Sequence, residues 1–224
     1  MGICNSLPEE EQAPLKLYEP QIKLKDFKII KIIGMGTFGK VFQVKKRNTG
    51  KLFAMKVLNK ATLEQQSQIL YTKTERKVLE RVQSDFIVHL CYAFQSEERL
   101  YMIMDYMGGG ELFYYLHKIG SFSEHIIQFY AAEILLGLDV LHKNSIIYRD
   151  LKPQNILLDN AGHIKIADFG LSKIMSSIAN EKAYTICGTL DYLAPEVITE
   201  SGHSKAADWW SYVITYYRGH YYLK

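Results

Sequence analysis

Cysteine is scarce in this chain. Cys4, Cys91 and Cys187 are the only three in 224 residues, and they form neither a close pair nor a metal-ligand spacing. That argues against a disulfide framework and leaves reduced, intracellular thiols as the simplest reading. An excess of one charge is also lacking: 27 bases stand against 24 acids, a net +3. That balance argues against a nucleic-acid protein whose binding rests on overall charge. No apolar run approaches the roughly 20 residues of a membrane span. The longest candidate, "AAEILLGLDVLH", is short and carries two acids. No secretory signal opens the chain, because "MGICNSLPEEE" has no apolar centre. What is present is a 48% apolar composition. That suffices for one large core or two small ones.

The opening "MGICNS" carries its own signal. Gly2 is exposed after Met removal and Ser6 follows four residues on, the myristoylation pattern. Cys4 offers a site for a second acyl chain. One myristoyl group binds membrane only marginally, and two anchor it. The plain alternative is an arbitrary Met-Gly start. Glu9, Glu10 and Glu11 would be repelled by anionic lipid, so the tail lacks a polybasic second signal. The expected location is cytoplasmic, peripheral on membranes if the tail is lipidated.

Residues 1–26 are polar, hold three prolines and read as a tail. From Phe27 the pattern turns strand-like. "FKIIKIIGMGTFGKVFQVKK" is followed by an Asn48-Thr49-Gly50 turn signal and a second strand, "KLFAMKVLN". Residues 62–82 read as one helix, with Tyr71, Glu75, Val78, Leu79 and Val82 on one face. A strand pair follows near 86–94 and 99–105. "YMGGGE" then breaks the chain, and helices dominate. Ser123 is the expected N-cap of a long helix over 124–143. "NILLD" and "HIKIAD" read as short strands flanking the turn "NAGH". This order predicts an α+β, two-lobed fold with a cleft: a small β-rich lobe over 27–104, then a hinge and an incomplete, mostly helical lobe over 105–224.

Three glycines, Gly34, Gly36 and Gly39, lie in "GMGTFGKVF". Glycine lets backbone N–H groups approach phosphate without interference from a Cβ. Dinucleotide-binding folds share this spacing. There, however, the loop opens a helix, and here strand-like "KVFQV" follows, so the loop caps a hairpin. A ribose-binding acid about 20 residues on is also missing; Asn59 and Lys60 occupy that region. A dehydrogenase is thereby disfavoured. An ordinary glycine-rich hairpin remains open on this motif alone.

Lys56 stands in an otherwise apolar strand, and Glu75 in the middle of an apolar helix stripe. A lone buried charge costs several kcal/mol, and an opposite charge relieves it. The economical prediction pairs the two; the alternative is two side chains snorkelling to water.

"IIYRDLKPQNILLD" and "IKIADFG" bring Arg149, Asp150, Lys152 and Asn155 ahead of Asp168-Phe169-Gly170. With the glycine loop and "AMK", these resemble the protein-kinase signature set in the right order. The likeness covers about residues 27–211. "YRDLKPQN", "CGTLDYLAPE" and "DWWS" look like the AGC group, that of the cyclic-nucleotide-dependent Ser/Thr kinases, and "NEKAYTICGT" leans toward its growth-factor-regulated members.

The resemblance implies ATP and Mg²⁺ as cofactors and Ser/Thr residues of proteins as substrates. It implies that Asp150 orients the substrate hydroxyl and that Asn155 and Asp168 hold metal. Lys56, fixed by Glu75, would take phosphate, and Lys152 would neutralise the moving phosphoryl group. Lysine at position 152 favours Ser/Thr over Tyr substrates. Thr189 matches the threonine that supports Asp150 and Lys152, and Asp208 the acid that braces the catalytic loop. For adenine it implies Val41 and Ala54 above the ring, Leu157 below, Met104 as gatekeeper, and Asp105 and Met107 along the hinge; these apolar residues are also plain core. Glu111 matches the acid that meets ribose and a basic substrate residue. Gln154 departs from the "KPEN" of some relatives and removes one negative contact. The substrate preference still expected is basic-directed. Thr185 matches the activation-loop phosphothreonine, whose phosphate can pair with Arg149 after action by an upstream kinase.

The ending "ADWWSYVITYYRGHYYLK" starts like a buried helix and finishes in five tyrosines and scattered bases that suit none. The likeness is expected to fade after Ser211. The resemblance puts Glu196 where the family pairs a buried glutamate with an arginine further along, a partner expected to be missing here at a cost of about 3–5 kcal/mol. The apolar faces of 124–143 and 208–216 would be left under-covered. Two functional classes therefore stay open: a kinase, or a catalytically inactive fragment that binds nucleotide or a kinase's partners.

Overall fold

The computed structural model describes residues 22–36, 39–65, 68–176 and 181–221. Gly2 and Cys4 fall outside the described residues, as do Thr37 and Phe38 at the glycine-loop tip. Five antiparallel strands come first: β1 (Phe27–Gly36), β2 (Gly39–Lys46), β3 (Leu52–Asn59), β4 (Leu90–Gln95) and β5 (Arg99–Asp105). They form one sheet in the order β1-β2-β3-β5-β4. The period of two sorts β3. Phe53 and Met55 turn to a core with Phe27, Val44, Tyr101 and Ile103, so Ala54 and Lys56 take the opposite face. Val41 stands opposite Lys56, and Met104 opposite Ala54. Directly opposed residues share a face, so register alone gathers Val41, Ala54, Lys56 and Met104 on one surface.

Two expected boundaries move. The helix predicted over 62–82 is two helices, α1 (Lys60–Gln65) and α2 (Ile69–Arg81), with Gln66 and Ser67 outside the described residues. "EQQSQ" at 64–68 holds no apolar residue to carry one buried face through. The strand expected from residue 86 starts at Leu90, because residues 86–88 serve elsewhere. Val88 N–H donates to the Ile166 carbonyl at 3.0 Å, and Ile166 N–H to the Phe86 carbonyl at 2.9 Å.

The remaining elements are β6 (Gly110–Glu111), α3 (Leu112–Ile119), α4 (Glu124–Lys143), β7 (Ile146–Ile147), β8 (Ile156–Leu158), β9 (Ile164–Ile166), β10 (Lys173–Ile174), α5 (Pro195–Ile198) and α6 (Ala206–His220). β6, β8 and β9 form a three-stranded sheet, and β7 pairs with β10. α4 has the predicted bounds, but Ser123 makes no side-chain capping bond. One cluster joins Val78 and Leu79 of α2 to Ile134, Leu138 and Leu141 of α4 and to Ile156 and Ile166. The architecture is α+β: a β-rich part with one main helix, packed on a mostly helical part.

The chain end corrects an expectation. α6 runs unbroken to His220, well past Ser211. The Tyr212 hydroxyl donates to the Ala131 carbonyl at 3.2 Å, and Phe122 N–H to the Gly219 carbonyl at 2.9 Å. A Cβ on Gly219 would lie 2.3 Å from Ile127 Cδ1, so this glycine is what lets α6 lie close against α4. The expected under-covered faces are present. Trp210, Val213 and Tyr217 make an exposed stripe on α6, continued by Tyr221 just past its end, and Ile126, Phe129, Leu135 and Leu136 are exposed on α4. Glu196 forms no ion pair among the described residues.

Candidate active site

Lys56 and Glu75 meet as the sequence predicts. Lys56 Nζ donates to Glu75 Oε1 at 2.6 Å and to Oε2 at 2.8 Å, and lies 4.0 Å from Asp168 Oδ1. Burial by itself pushes the ammonium toward neutrality. The Glu75 and Asp168 carboxylates more than offset it, so the Lys56 pKa is held above the ordinary lysine value. Asp168 has a left-handed backbone, φ +57°, and its carboxylate is more than half exposed, open to the solvent side.

Asp150 is held from three sides. Asn155 Nδ2 donates to its Oδ2 at 2.9 Å and to its carbonyl at 2.8 Å. Lys152 Nζ lies 2.9 Å from the same carboxylate. The Thr189 hydroxyl donates to Asp150 Oδ1 at 2.9 Å and accepts from Lys152 Nζ at 2.8 Å. Ala167 N–H donates to the Asn155 carbonyl at 2.9 Å, which ties the Asp150 cluster to the residue before Asp168. Lys56, Asp168, Asn155 and Asp150 thus form one connected array.

Beneath it lies a brace. Asp208 is 1% exposed. It accepts from Tyr148 N–H at 2.9 Å, Arg149 N–H at 2.8 Å and His142 Nε2 at 2.7 Å. Arg149 has φ +71°, an unusual conformation that these bonds hold. Tyr148 donates its hydroxyl to the Ala167 carbonyl at 2.5 Å and stacks edge-on against the fully buried Phe169. Burial, with Asp168 and Asp150 nearby, pushes its phenol well above the ordinary range, so it stays a neutral donor. Sequence reading missed His142 and Tyr148. The tyrosine inside apolar "IIYR" was the available signal, since a buried phenol needs an acceptor.

The glycines divide. A Cβ on Gly39 would sit 2.0 Å from the Val57 carbonyl oxygen, so that glycine is demanded by the approach of β2 to β3. At Gly34 a Cβ would make only ordinary contact with Val41, and at Gly36 it would meet nothing closer than 4.0 Å among the described residues. Protein packing therefore leaves room at those two. Of the expected adenine residues, Val41, Ala54 and Met104 share the cleft face of the sheet. Leu157 on β8 pairs with the exposed Glu111 on β6. Met107 is buried. The Asp105 carboxylate is occupied: Lys165 Nζ lies 2.9 Å away, and His89 N–H donates to it at 3.2 Å. Any contact from Asp105 to a nucleotide therefore falls to its backbone.

Arg149 Nε donates to the Leu171 carbonyl at 2.6 Å, while its Nη1 is buried without a partner among the described residues. It lines a small pocket with Cys187 and His203. Thr185 is exposed and makes no bond to Arg149. Gln154 Oε1 is likewise buried and unpaired.

The protein kinase domain model matches residues 27–220. The chain belongs to the protein kinase family. Its kinase relatives place it in the AGC group. It is 50% identical over 219 residues to "Protein kinase 3" of Dictyostelium discoideum, covering 94% of this chain and 24% of that protein. It is 54% identical over 190 residues to human "Ribosomal protein S6 kinase alpha-1", covering 83% and 25%. To the Dictyostelium "cAMP-dependent protein kinase catalytic subunit" it is 49% identical over 189 residues, covering 84% and 28%. This kinase chain spans about a quarter of the length of these three curated relatives. The family match also runs past Ser211, where the likeness was expected to fade.

Proposed function

We propose that this chain transfers the γ-phosphoryl group of ATP to Ser or Thr hydroxyls of protein substrates. The single observation that carries the reading is the connected array of Lys56, Asp168, Asn155 and Asp150. Its donor set fits the cofactor. With Nδ2 turned to Asp150, Asn155 keeps a carbonyl oxygen free, and Asp168 offers an open carboxylate. Hard oxygen ligands in this small number suit Mg²⁺, which takes its remaining ligands from phosphates and water.

Bound Mg-ATP supplies the transferable phosphoryl group and charge neutralisation. The chain supplies position. Lys56, kept cationic and aimed by Glu75, binds phosphate oxygens, and backbone N–H groups near Gly34 and Gly36 have room to approach them. Asp150, fixed by Asn155, Lys152 and Thr189, accepts a hydrogen bond from the substrate hydroxyl and aims it. Lys152, on the same carboxylate, offsets negative charge as the phosphoryl group moves. Substrate preference is basic-directed, with Glu111 as the charged contact, while Gln154 supplies no negative charge. Phosphorylation of Thr185 by an upstream kinase would give Arg149 Nη1 the partner it lacks. Gly2 and Cys4 are the candidate acylation sites for peripheral membrane association from the cytoplasm.

The exposed stripe on α6 favours a second reading, a non-catalytic chain that binds nucleotide or a protein partner. Purified chain incubated with Mg-ATP and a basic Ser/Thr peptide separates the two. Transfer that disappears in Asp168→Ala supports the kinase. Thermal stabilisation by nucleotide with no transfer supports the second reading. Undiminished activity in Thr185→Ala would remove the switch, and an unchanged membrane fraction in Gly2→Ala the anchor.

A further inference from the structure

One end of the small sheet takes no part in the proposed reaction, yet it is charged far beyond the rest of the chain. Residues 22–51 hold nine bases and one acid, Asp26, in a protein whose whole excess is +3. The fold gathers six of these bases. Lys28 stands directly opposite Lys45 across β1 and β2. Arg47 Nε donates to the Lys25 carbonyl at 3.0 Å, and Arg47 N–H to the Asp26 carbonyl at 2.8 Å. Lys46 N–H closes the turn onto the Lys51 carbonyl at 2.9 Å. Lys23, Lys25, Lys28, Lys45, Arg47 and Lys51 therefore surround the place where β1 begins, β2 ends and β3 begins. This is the far end of the hairpin from Gly36 and Gly39. All six are exposed, and none joins an ion pair among the described residues. The nearby acids are spoken for: Asp26 accepts from Lys23 N–H at 2.8 Å, and Asp105 is held by Lys165.

Like charges set opposite one another repel, and among the described residues Asp26 is the one acid at this end, a single negative charge against six bases. Aliphatic side chains lie exposed among them: Leu24, Ile29, Ile30 and Leu52. Cations interleaved with aliphatic groups suit a bilayer surface, where anionic headgroups meet the bases and the acyl boundary takes the aliphatics. Single-stranded nucleic acid would call for exposed aromatic platforms, and the aromatics at this end, Phe27 and Phe53, are buried. We propose that this end of the small-lobe sheet is a docking surface for anionic membrane. The second membrane signal missing from the acidic tail is then supplied by the folded domain, beside Ile22, where the tail joins it. The surface acts whether or not Gly2 is acylated, and it does not rest on the kinase reading.

The test uses the full, non-acylated chain and sedimentation with vesicles of phosphatidylcholine, with and without phosphatidylserine. Binding to the anionic vesicles is expected, weakening as salt rises. Lys25→Ala/Lys28→Ala/Lys45→Ala is expected to lose about a hundredfold in affinity, taking roughly fivefold per charge. A control that removes three exposed bases elsewhere, Lys73→Ala/Lys77→Ala/Lys118→Ala, is expected to bind like the parent. Lys28→Ala alone, about fivefold weaker, serves if the triple variant does not fold. Equal binding to neutral vesicles, equal loss in the control, or binding to RNA but not to anionic vesicles would overturn the proposal.

Discussion

Asp208→Ala removes the α6 side chain that hydrogen-bonds the backbone of the loop carrying Asp150. Two buried backbone donors, Tyr148 N–H and Arg149 N–H, lose their acceptor, and so does the His142 ring. An orphaned buried donor costs about 1–3 kcal/mol. Two amides and an imidazole therefore amount to several kcal/mol. Release of the left-handed Arg149, a strain of about 1–3 kcal/mol, returns part of that. The net expectation is a loss of about 3–5 kcal/mol, a large share of the roughly 5–15 kcal/mol that holds a domain together. Urea unfolding followed by far-UV circular dichroism reads this directly. With a slope near the upper value of about 3 kcal/mol per molar, the midpoint falls by about 1–2 M at unchanged slope. Asp208→Asn keeps one acceptor oxygen and turns an NH₂ group on the other donors, so it should fall between. A midpoint for Asp208→Ala within about 0.3 M of the parent would refute the assignment of Asp208 as the brace.

The two kinds of glycine should separate by substitution. Gly39→Ala drives a Cβ into the Val57 carbonyl and should lower the melting temperature without ligand, by about 1–3 kcal/mol of overpacking. Gly36→Ala should leave that temperature unchanged and weaken Mg-ATP binding, both read by thermal shift. His203 is buried beside Arg149, and burial, then that cation, holds its pKa below the ordinary value of about 6.5. The unfolded chain therefore binds the extra proton first, and stability falls as pH drops below about 6.5; His203→Phe should flatten that limb of a stability–pH curve. Burial first, then Asp105, pushes the Cys91 thiol up to about 11. At pH 8 the folded chain should therefore resist iodoacetamide at Cys91 over a time in which a free thiol reacts fully, as read by peptide mass mapping.

Local spacing explains what the sequence disclosed. Asp150, Lys152 and Asn155 sit within six residues, so the chain itself delivers them to one place. The Lys56–Glu75 pair was legible for another reason: two charges in apolar surroundings need each other, whatever the path between them. The start of α4 was legible from Ser123 as the expected N-cap, and the bounds hold although Ser123 makes no side-chain capping bond. Contacts that only tertiary packing creates were hidden. His142 and Asp208 are 66 residues apart, and no local pattern joins them, nor Asp105 to Lys165. The tyrosines of α6 looked wrong for a buried helix because their hydroxyls need acceptors. Tyr212 finds one on α4, and Gly219 lets the two helices approach closely.

The bond between Lys165 and Asp105 spans from β9 to the last residue of β5, across the joint between the two parts of the molecule. It is partly open to water, with both side chains 22% exposed, whereas Glu75 in the Lys56 pair is 6% exposed. Dissolved ions weaken an exposed pair far more than a sheltered one. Ionic strength is therefore expected to loosen the polar clasp at the joint more than the Lys56–Glu75 pair, whose carboxylate is sheltered. Small-angle scattering at low and high salt should show the parent swinging wider as salt rises, and Lys165→Met wide at both; equal widths throughout would show that the joint is governed by something else.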